Sequence, residues 1–128
     1  MKPRLLLTIF AGVLITGCST TQAETLSFTE DQIDYVATSR CLYKEGILTR
    51  DQLNQRMKRD ASNDPNGFMD PIVKSSLQGM TQEQNQEVIQ AIEETDCKNR
   101  VLAWAVVELP EDKAAEFVMI YMANKESS

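Results

Sequence analysis

The chain contains 128 residues, with 13 basic and 19 acidic side chains and a formal net charge of −6. A chain of this length builds one domain with its own core, and its acidic balance argues against nucleic acid as a partner. It contains no histidine, which removes the most common general base and metal ligand. We therefore expect no cofactor, no metal site and no histidine-activated nucleophile.

Residues 1–17 have the pattern of an export signal. Lys2 and Arg4 form a short basic start, and an apolar run over residues 5–15 follows. About 20 apolar residues are needed to span a bilayer as a helix, so this run is too short for a permanent span and suits a signal peptide. The run leads into Ile15-Thr16-Gly17-Cys18.

This ending resembles the lipobox of bacterial lipoproteins, in which an aliphatic and two small residues precede a cysteine. The resemblance covers only the leader, and Ile15 stands where leucine is more common in the family. It implies cleavage before Cys18, a diacylglycerol on the Cys18 sulfur and acylation of the new amino group. Ser19, where some members have aspartate, resembles outer-membrane sorting in enterobacterial lipoproteins. We therefore expect a bacterial envelope protein, joined to the outer membrane through Cys18 and facing the periplasm.

An ordinary secretory signal is the alternative, because Thr21-Gln22-Ala23 offers a small-x-small cleavage site. On the lipoprotein interpretation, residues 1–17 are the signal peptide and residues 18–26 are the lipidated cysteine with a flexible tether. Residues 27–128 then form a single helical domain. The signal peptide contains two basic residues and no acidic one, so the mature chain carries eleven basic against nineteen acidic residues, a net charge of −8.

The two remaining cysteines, Cys41 and Cys97, form an even pair in an exported chain. A disulfide between them is therefore the default expectation. Two buried free thiols or a redox pair are the alternatives. The chain has no Cys-x-x-Cys motif, which disfavours a redox pair.

Three Thr-x-x-Gln capping boxes begin at Thr29, Thr49 and Thr81 and predict helix starts. The first helix should run from about residue 29 to 45 and the second from about 50 to 60. The dipeptide Asp70-Pro71 predicts an N-cap followed by proline at the first helical position. That short helix should end at Gly79, with Leu77 facing inward. The helix from Thr81 should bury Val88, Ile89 and Ile92.

Residues 101–109 are apolar and β-branched, so their length and composition allow a strand or a buried helix. We favour a buried helix centred on Trp104, followed by a last helix that Pro110 opens. The resulting prediction is an all-α fold, a small orthogonal bundle of five to six helices. The Cys41–Cys97 disulfide would clamp the first helix to the end of the fourth.

No catalytic residue emerges from this pattern. A calcium-loop spacing that starts at Asp60 fails, because proline occupies positions 65 and 71, where glycine and glutamate are needed. Acidic groups at residues 93–96 and 108–112 are expected to be solvated helix faces. The basic group Arg56, Lys58 and Arg59 is expected to favour the end of the second helix through its dipole.

These observations favour a lipid-anchored protein-binding module, such as an immunity protein, an inhibitor or an assembly accessory. The acidic mature chain suits a partner that is basic around the contact. A lipid-anchored enzyme such as a cell-wall hydrolase, or a small lipid or ligand carrier, is the alternative.

The lipid anchor can be tested on the protein from cells. We expect mass spectrometry to find Cys18 at the N-terminus with acyl chains attached. Cys18→Ser should release the protein from membranes or leave it as an uncut precursor, because the acyl chains hold it there. A lipid-free protein that begins at Glu24 would contradict the lipoprotein interpretation.

Overall fold

The computed structural model describes residues 28–127, so the predictions on Cys18, the signal peptide and the whole tether lie outside the described residues. Within this range, six helices follow one another: α1 Glu30–Lys44, α2 Arg50–Ser62, α3 Asp70–Gln78, α4 Gln82–Glu94, α5 Cys97–Glu108 and α6 Glu111–Ser127. No strand occurs between residues 28 and 127, which confirms the all-α prediction. None of the helices described is long and apolar enough to cross a membrane.

All three predicted capping boxes are present. The hydroxyls of Thr29, Thr49 and Thr81 each accept the backbone N–H of the glutamine three residues later, at 3.0–3.2 Å. Each glutamine side chain in turn accepts the threonine N–H at 2.8–2.9 Å. These reciprocal bonds begin α1, α2 and α4 at the predicted residues.

A fourth cap, which was not predicted, separates α4 from α5. The Asp96 carboxylate accepts the Asn99 N–H at 3.0 Å and begins a new helix at Cys97. The Cys41–Cys97 disulfide is confirmed, with a Cα–Cα distance of 5.1 Å. It joins α1 to the first residue of α5, whereas we had placed Cys97 at the end of the fourth helix. The start of this helix was misplaced because Asp96 had not been recognised as an N-cap.

Residues 101–109 are helical up to Glu108, but the segment is only half-buried. Val101, Trp104 and Ala105 are buried, whereas Val106 and Val107 are exposed. The fully buried helix predicted here is therefore wrong in part. The same face of α5 that carries Trp104 packs against α1 and α6, and the opposite face lies in solvent.

Four smaller predictions are also wrong. Leu77 is 80% exposed and Ile89 is partly exposed, because their helices pack along one narrow face only. Asp70 is the first residue of α3, and Met69 is the N-cap without a side-chain hydrogen bond. Pro110 lies just before α6, where its carbonyl accepts the Ala114 N–H at 2.8 Å.

Most of the buried apolar side chains form two clusters. The first joins α1, α5 and α6 and contains Cys41, Leu42, Cys97, Val101, Trp104, Ala105 and Tyr121. The second joins α3 to the segment before α1 and contains Phe28, Met69 and Ile72. Helix α1 has one end in each cluster, and the surface between the clusters carries the grooves described below.

The disulfide should contribute much of the stability of the domain. It closes a loop with a sequence separation of 56, for which the chain-entropy model gives roughly 4 kcal/mol. We expect reduction to lower the melting temperature by about 15 °C or more while the low-temperature circular dichroism stays helical. Cys41→Ser with Cys97→Ser should match the reduced protein. An unchanged melting temperature after reduction, with free thiols verified by alkylation, would contradict this role.

Candidate functional site

A groove of about 460 Å³ lies between α1 and α5 and reaches α2 at its floor. Its volume falls in the range of about 300–1,000 Å³ that is usual for ligand sites. Its lining comes from α1, from Arg56 and Phe68, and from residues 95–108: Asp31, Asp34, Tyr35, Thr38, Arg56, Phe68, Thr95, Asn99, Arg100, Ala103, Trp104, Val107 and Glu108.

Arg56 forms the floor of the groove and is only 8% exposed. Its Nη2 donates to Glu108 Oε2 at 2.6 Å, and its Nε donates to both carboxylate oxygens at 3.1 and 3.2 Å. Its Nη1 donates to the Ser39 hydroxyl at 2.7 Å. The guanidinium also lies 4.3 Å from the centre of the Tyr35 ring. Arg56 therefore connects α2 to α5 and α1 through a paired and stacked charge.

Arg100 is buried to the same degree on the α5 wall. Its Nε and Nη2 donate to the carbonyls of Thr95 and Ala91 at 2.9 and 3.0 Å. Its Nη1 donates to Asp34 Oδ1 at 3.1 Å. Those carbonyls lie at the end of α4, and the Ala91 carbonyl also accepts the Thr95 N–H, so Arg100 adds a second donor there and satisfies the Thr95 carbonyl. The Arg100 side chain therefore has a structural role, with its guanidinium bonded within the domain.

Tyr35 is fixed at both ends. Its hydroxyl donates to Asp60 Oδ2 at 2.7 Å, and its ring meets Phe68 edge-on with centroids 6.5 Å apart. Burial raises the pKa of Tyr35, and the hydrogen bond to Asp60 raises it further. The phenol therefore stays neutral at physiological pH and serves as a rigid aromatic surface.

Trp104 provides the second aromatic surface. Its ring packs edge-on against Phe117 of α6, at 5.7 Å between centroids, and Phe117 stacks on Tyr121. The Tyr121 hydroxyl donates to Glu45 Oε1 at 2.8 Å. Helix α6 thus holds Trp104 against α1 from the side opposite the groove.

The pKa of the Glu108 carboxyl is lowered. Burial alone would raise it, but the hydrogen bonds and charge of Arg56, together with a bond from Arg59, outweigh burial. Glu108 is therefore ionised at neutral pH and lacks the raised pKa of a general acid. Among the described residues, no group of three potential ligands is arranged to hold a metal ion.

The solvent-facing charge of the groove is acidic. Asp31 is exposed, the Asp34 side chain is 65% exposed and that of Glu108 is 26% exposed, whereas both arginines are buried and paired. These carboxylates lie among the aromatic surfaces of Tyr35 and Trp104. Carboxylates beside aromatic faces form an environment that favours a cation.

The structure changes the roles expected of the charged residues. Arg56 was expected to be a solvated dipole partner, and this prediction is wrong because its side chain is buried and pairs with Glu108 across 52 positions. Glu108 remains partly solvated, as expected, but its carboxylate is paired with Arg56. Arg59 remains exposed, as expected. The sequence did contain a signal for the burial of Arg56, since this residue lies between Leu53 and Met57 on the inward face of α2.

Comparisons with protein-family models, with curated proteins and with solved structures found no match to this chain. Function must therefore be inferred from the chemistry of the groove. The acidic rim, the fixed aromatic surfaces and the paired arginines are the features from which it follows.

The two buried arginines allow a matched test of stability. Glu108→Gln leaves the buried Arg56 without its counter-ion and should lower the free energy of unfolding by about 2–4 kcal/mol. Asp34→Asn leaves Arg100 its two carbonyl acceptors, and Asp34 itself is mostly exposed, so this change should cost less, about 1 kcal/mol. Denaturant unfolding of both variants measures the difference. Equal costs would contradict the central role of the Arg56 pair.

The same pair predicts a pH dependence. Because the pKa of Glu108 is lowered from 4.5 in the folded state, its contribution is present above pH 4.5 and is lost as pH falls through the folded pKa. Glu108→Gln should therefore show a shallower loss of stability below pH 4.5 than the natural chain. Glu45, whose pKa is also lowered by bonds from Lys125 and Tyr121, keeps its contribution in both proteins.

Proposed function

We propose that the protein is a lipid-anchored envelope lipoprotein whose helical domain binds a basic segment of another protein in the groove between α1 and α5. The observation that supports this best is the charge arrangement of the groove. Its carboxylates face solvent, while its two arginines are buried and already paired. These carboxylates would repel an anionic ligand, whereas a cationic ligand could pair with them.

The lining suits an arginine or lysine side chain in particular. Asp31 and Asp34 lie on the α1 wall, and the exposed Ala103 and Val107 lie on the α5 wall beside Trp104. Long basic side chains bury their apolar stem and keep the charge at a polar edge. The stem would pack on the α5 wall, and the charge would reach the α1 carboxylates.

The remainder of the chain supports the same role. The net charge of −8 after signal cleavage would speed encounter with a basic surface. A tether of residues 18–26 spans at most about 3.3–3.6 Å per residue, so it would keep the domain close to the membrane. An immunity protein, an inhibitor or an assembly accessory would each work from such a position.

The hydrolase alternative has less support. A glycosidase pair needs one carboxyl whose pKa is raised, whereas the least exposed carboxylate of this groove, Glu108, has a lowered pKa. Binding of a basic segment requires no carboxyl with a raised pKa. The lowered pKa therefore favours recognition over hydrolysis.

Adjacent valines of α5 provide a matched test of the groove. Val107 lines the groove and is 80% exposed, whereas Val106 is 69% exposed and does not line it. Using the protein as bait in low-salt envelope extracts, we expect Val107→Lys to weaken capture of the partner at least about tenfold, because like charges would meet. Val106→Lys should capture it as the natural chain does.

Salt provides the second measurement. Association of the captured partner should slow steeply between low and physiological ionic strength, since the contact is between opposite charges. Equal capture by both valine variants would contradict the groove as the contact. A bound glycan or lipid without any protein partner would instead favour the enzyme or carrier alternative.

A further inference from the structure

A second groove, of about 340 Å³, lies between α1, α2 and α3. Five apolar side chains line it: Val36, Leu53, Met57, Ile72 and Met80. The polar residues of its lining are serines, an asparagine and Tyr35, so its lining carries no charged side chain. It therefore suits an uncharged apolar group.

The two grooves share a wall. Tyr35 lines both of them. Arg56 lies over the Tyr35 ring from the first groove, and its Nη1 donates to Ser39, which lines the second. Because Tyr35 is also bonded to Asp60, this wall is rigid. The two grooves therefore adjoin at Tyr35.

We propose that the second groove receives an aliphatic or aromatic side chain from the same partner segment whose basic side chain occupies the first groove. The recognised segment is thus amphipathic, with a cation and an apolar anchor on either side of Tyr35. This inference rests on the proposed function and specifies the chemistry of its partner. Charge complementarity at the first groove would orient the partner segment, and the second groove would add an apolar contact to its binding.

The lining of the second groove favours a peptide side chain over a free fatty acid. A fatty acid would bring a carboxylate, and no cation lines this groove to neutralise it. Asn54 and Ser76 are exposed polar residues of the lining, which can bond to a peptide backbone. Met57 and Met80 are flexible and polarisable, which lets a site adapt to side chains of different shape.

Trp104 makes the inference measurable, because it is the one tryptophan of the chain and lines the first groove. The probes are synthetic glycine-serine peptides that contain one arginine, with or without a leucine placed one to four residues away. Their affinity for the mature lipidated protein in nanodiscs is followed by Trp104 fluorescence. At the best spacing, we expect the leucine to tighten binding about tenfold, as burial of a leucine side chain predicts.

Two exposed positions on α3 provide the variant and its control. Ser76 lines the second groove, whereas Gln78, two residues later, does not. Ser76→Phe should fill the groove, so that peptides with and without leucine bind equally. Gln78→Phe should keep the tenfold difference. Because both positions are exposed, neither change threatens the fold.

The outcomes separate this inference from the proposed function. Arginine peptides that bind without any gain from leucine, or a gain that survives Ser76→Phe, would overturn the second groove as an anchor and leave the first intact. If no arginine peptide changes the fluorescence of Trp104, the cation groove fails and this inference fails with it. If Ser76→Phe abolishes the gain in affinity from leucine and Gln78→Phe preserves it, the result supports both the proposed function and the second groove as the apolar anchor site.

Discussion

The ion pair between Arg56 and Glu108 determines how three helices meet. Arg56 belongs to α2, Glu108 ends α5, and the other contacts of the guanidinium, Ser39 and Tyr35, belong to α1. A buried charge loses hydration worth several kcal/mol, so it requires a counter-ion and further hydrogen bonds. Meeting that requirement brings the end of α5 against α1 and α2. The wall between the two grooves, formed by Tyr35 under the guanidinium, is a consequence of this pair.

Helix α5 is held at both ends by different kinds of contact. Its first residue, Cys97, is bonded covalently to Cys41 of α1, and its last residue, Glu108, is paired with Arg56 of α2. Arg100 adds a contact from α5 to Asp34 and to the end of α4. A groove whose walls are fixed in this way loses little conformational freedom on binding, and pre-organisation of this kind raises affinity.

The features that the sequence predicted correctly depend on local rules. The caps at Thr29, Thr49 and Thr81 involve residues three apart. The disulfide was predicted from the pair of cysteines that remains when Cys18 is assigned to the lipid. The groove depends on pairings between distant residues, such as Arg56 with Glu108, which no local pattern specifies. Leu77 had the correct helical spacing but is exposed, because spacing identifies a face and not whether a neighbour covers it.

A buried ion pair is weak evidence for stability, since apolar residues of the same volume often replace it without loss. The position of Glu108 adds a second disadvantage, because a carboxylate at the C-terminus of a helix opposes the helix dipole. The pair offers something that apolar residues would not, namely a carboxylate held rigidly at a groove and a guanidinium that fixes the Tyr35 ring. Stability alone does not account for these charges, whereas the recognition of a cation that we propose would account for them. The location of Glu108, unfavourable for the helix dipole, therefore agrees with the proposed role of this carboxylate at the groove.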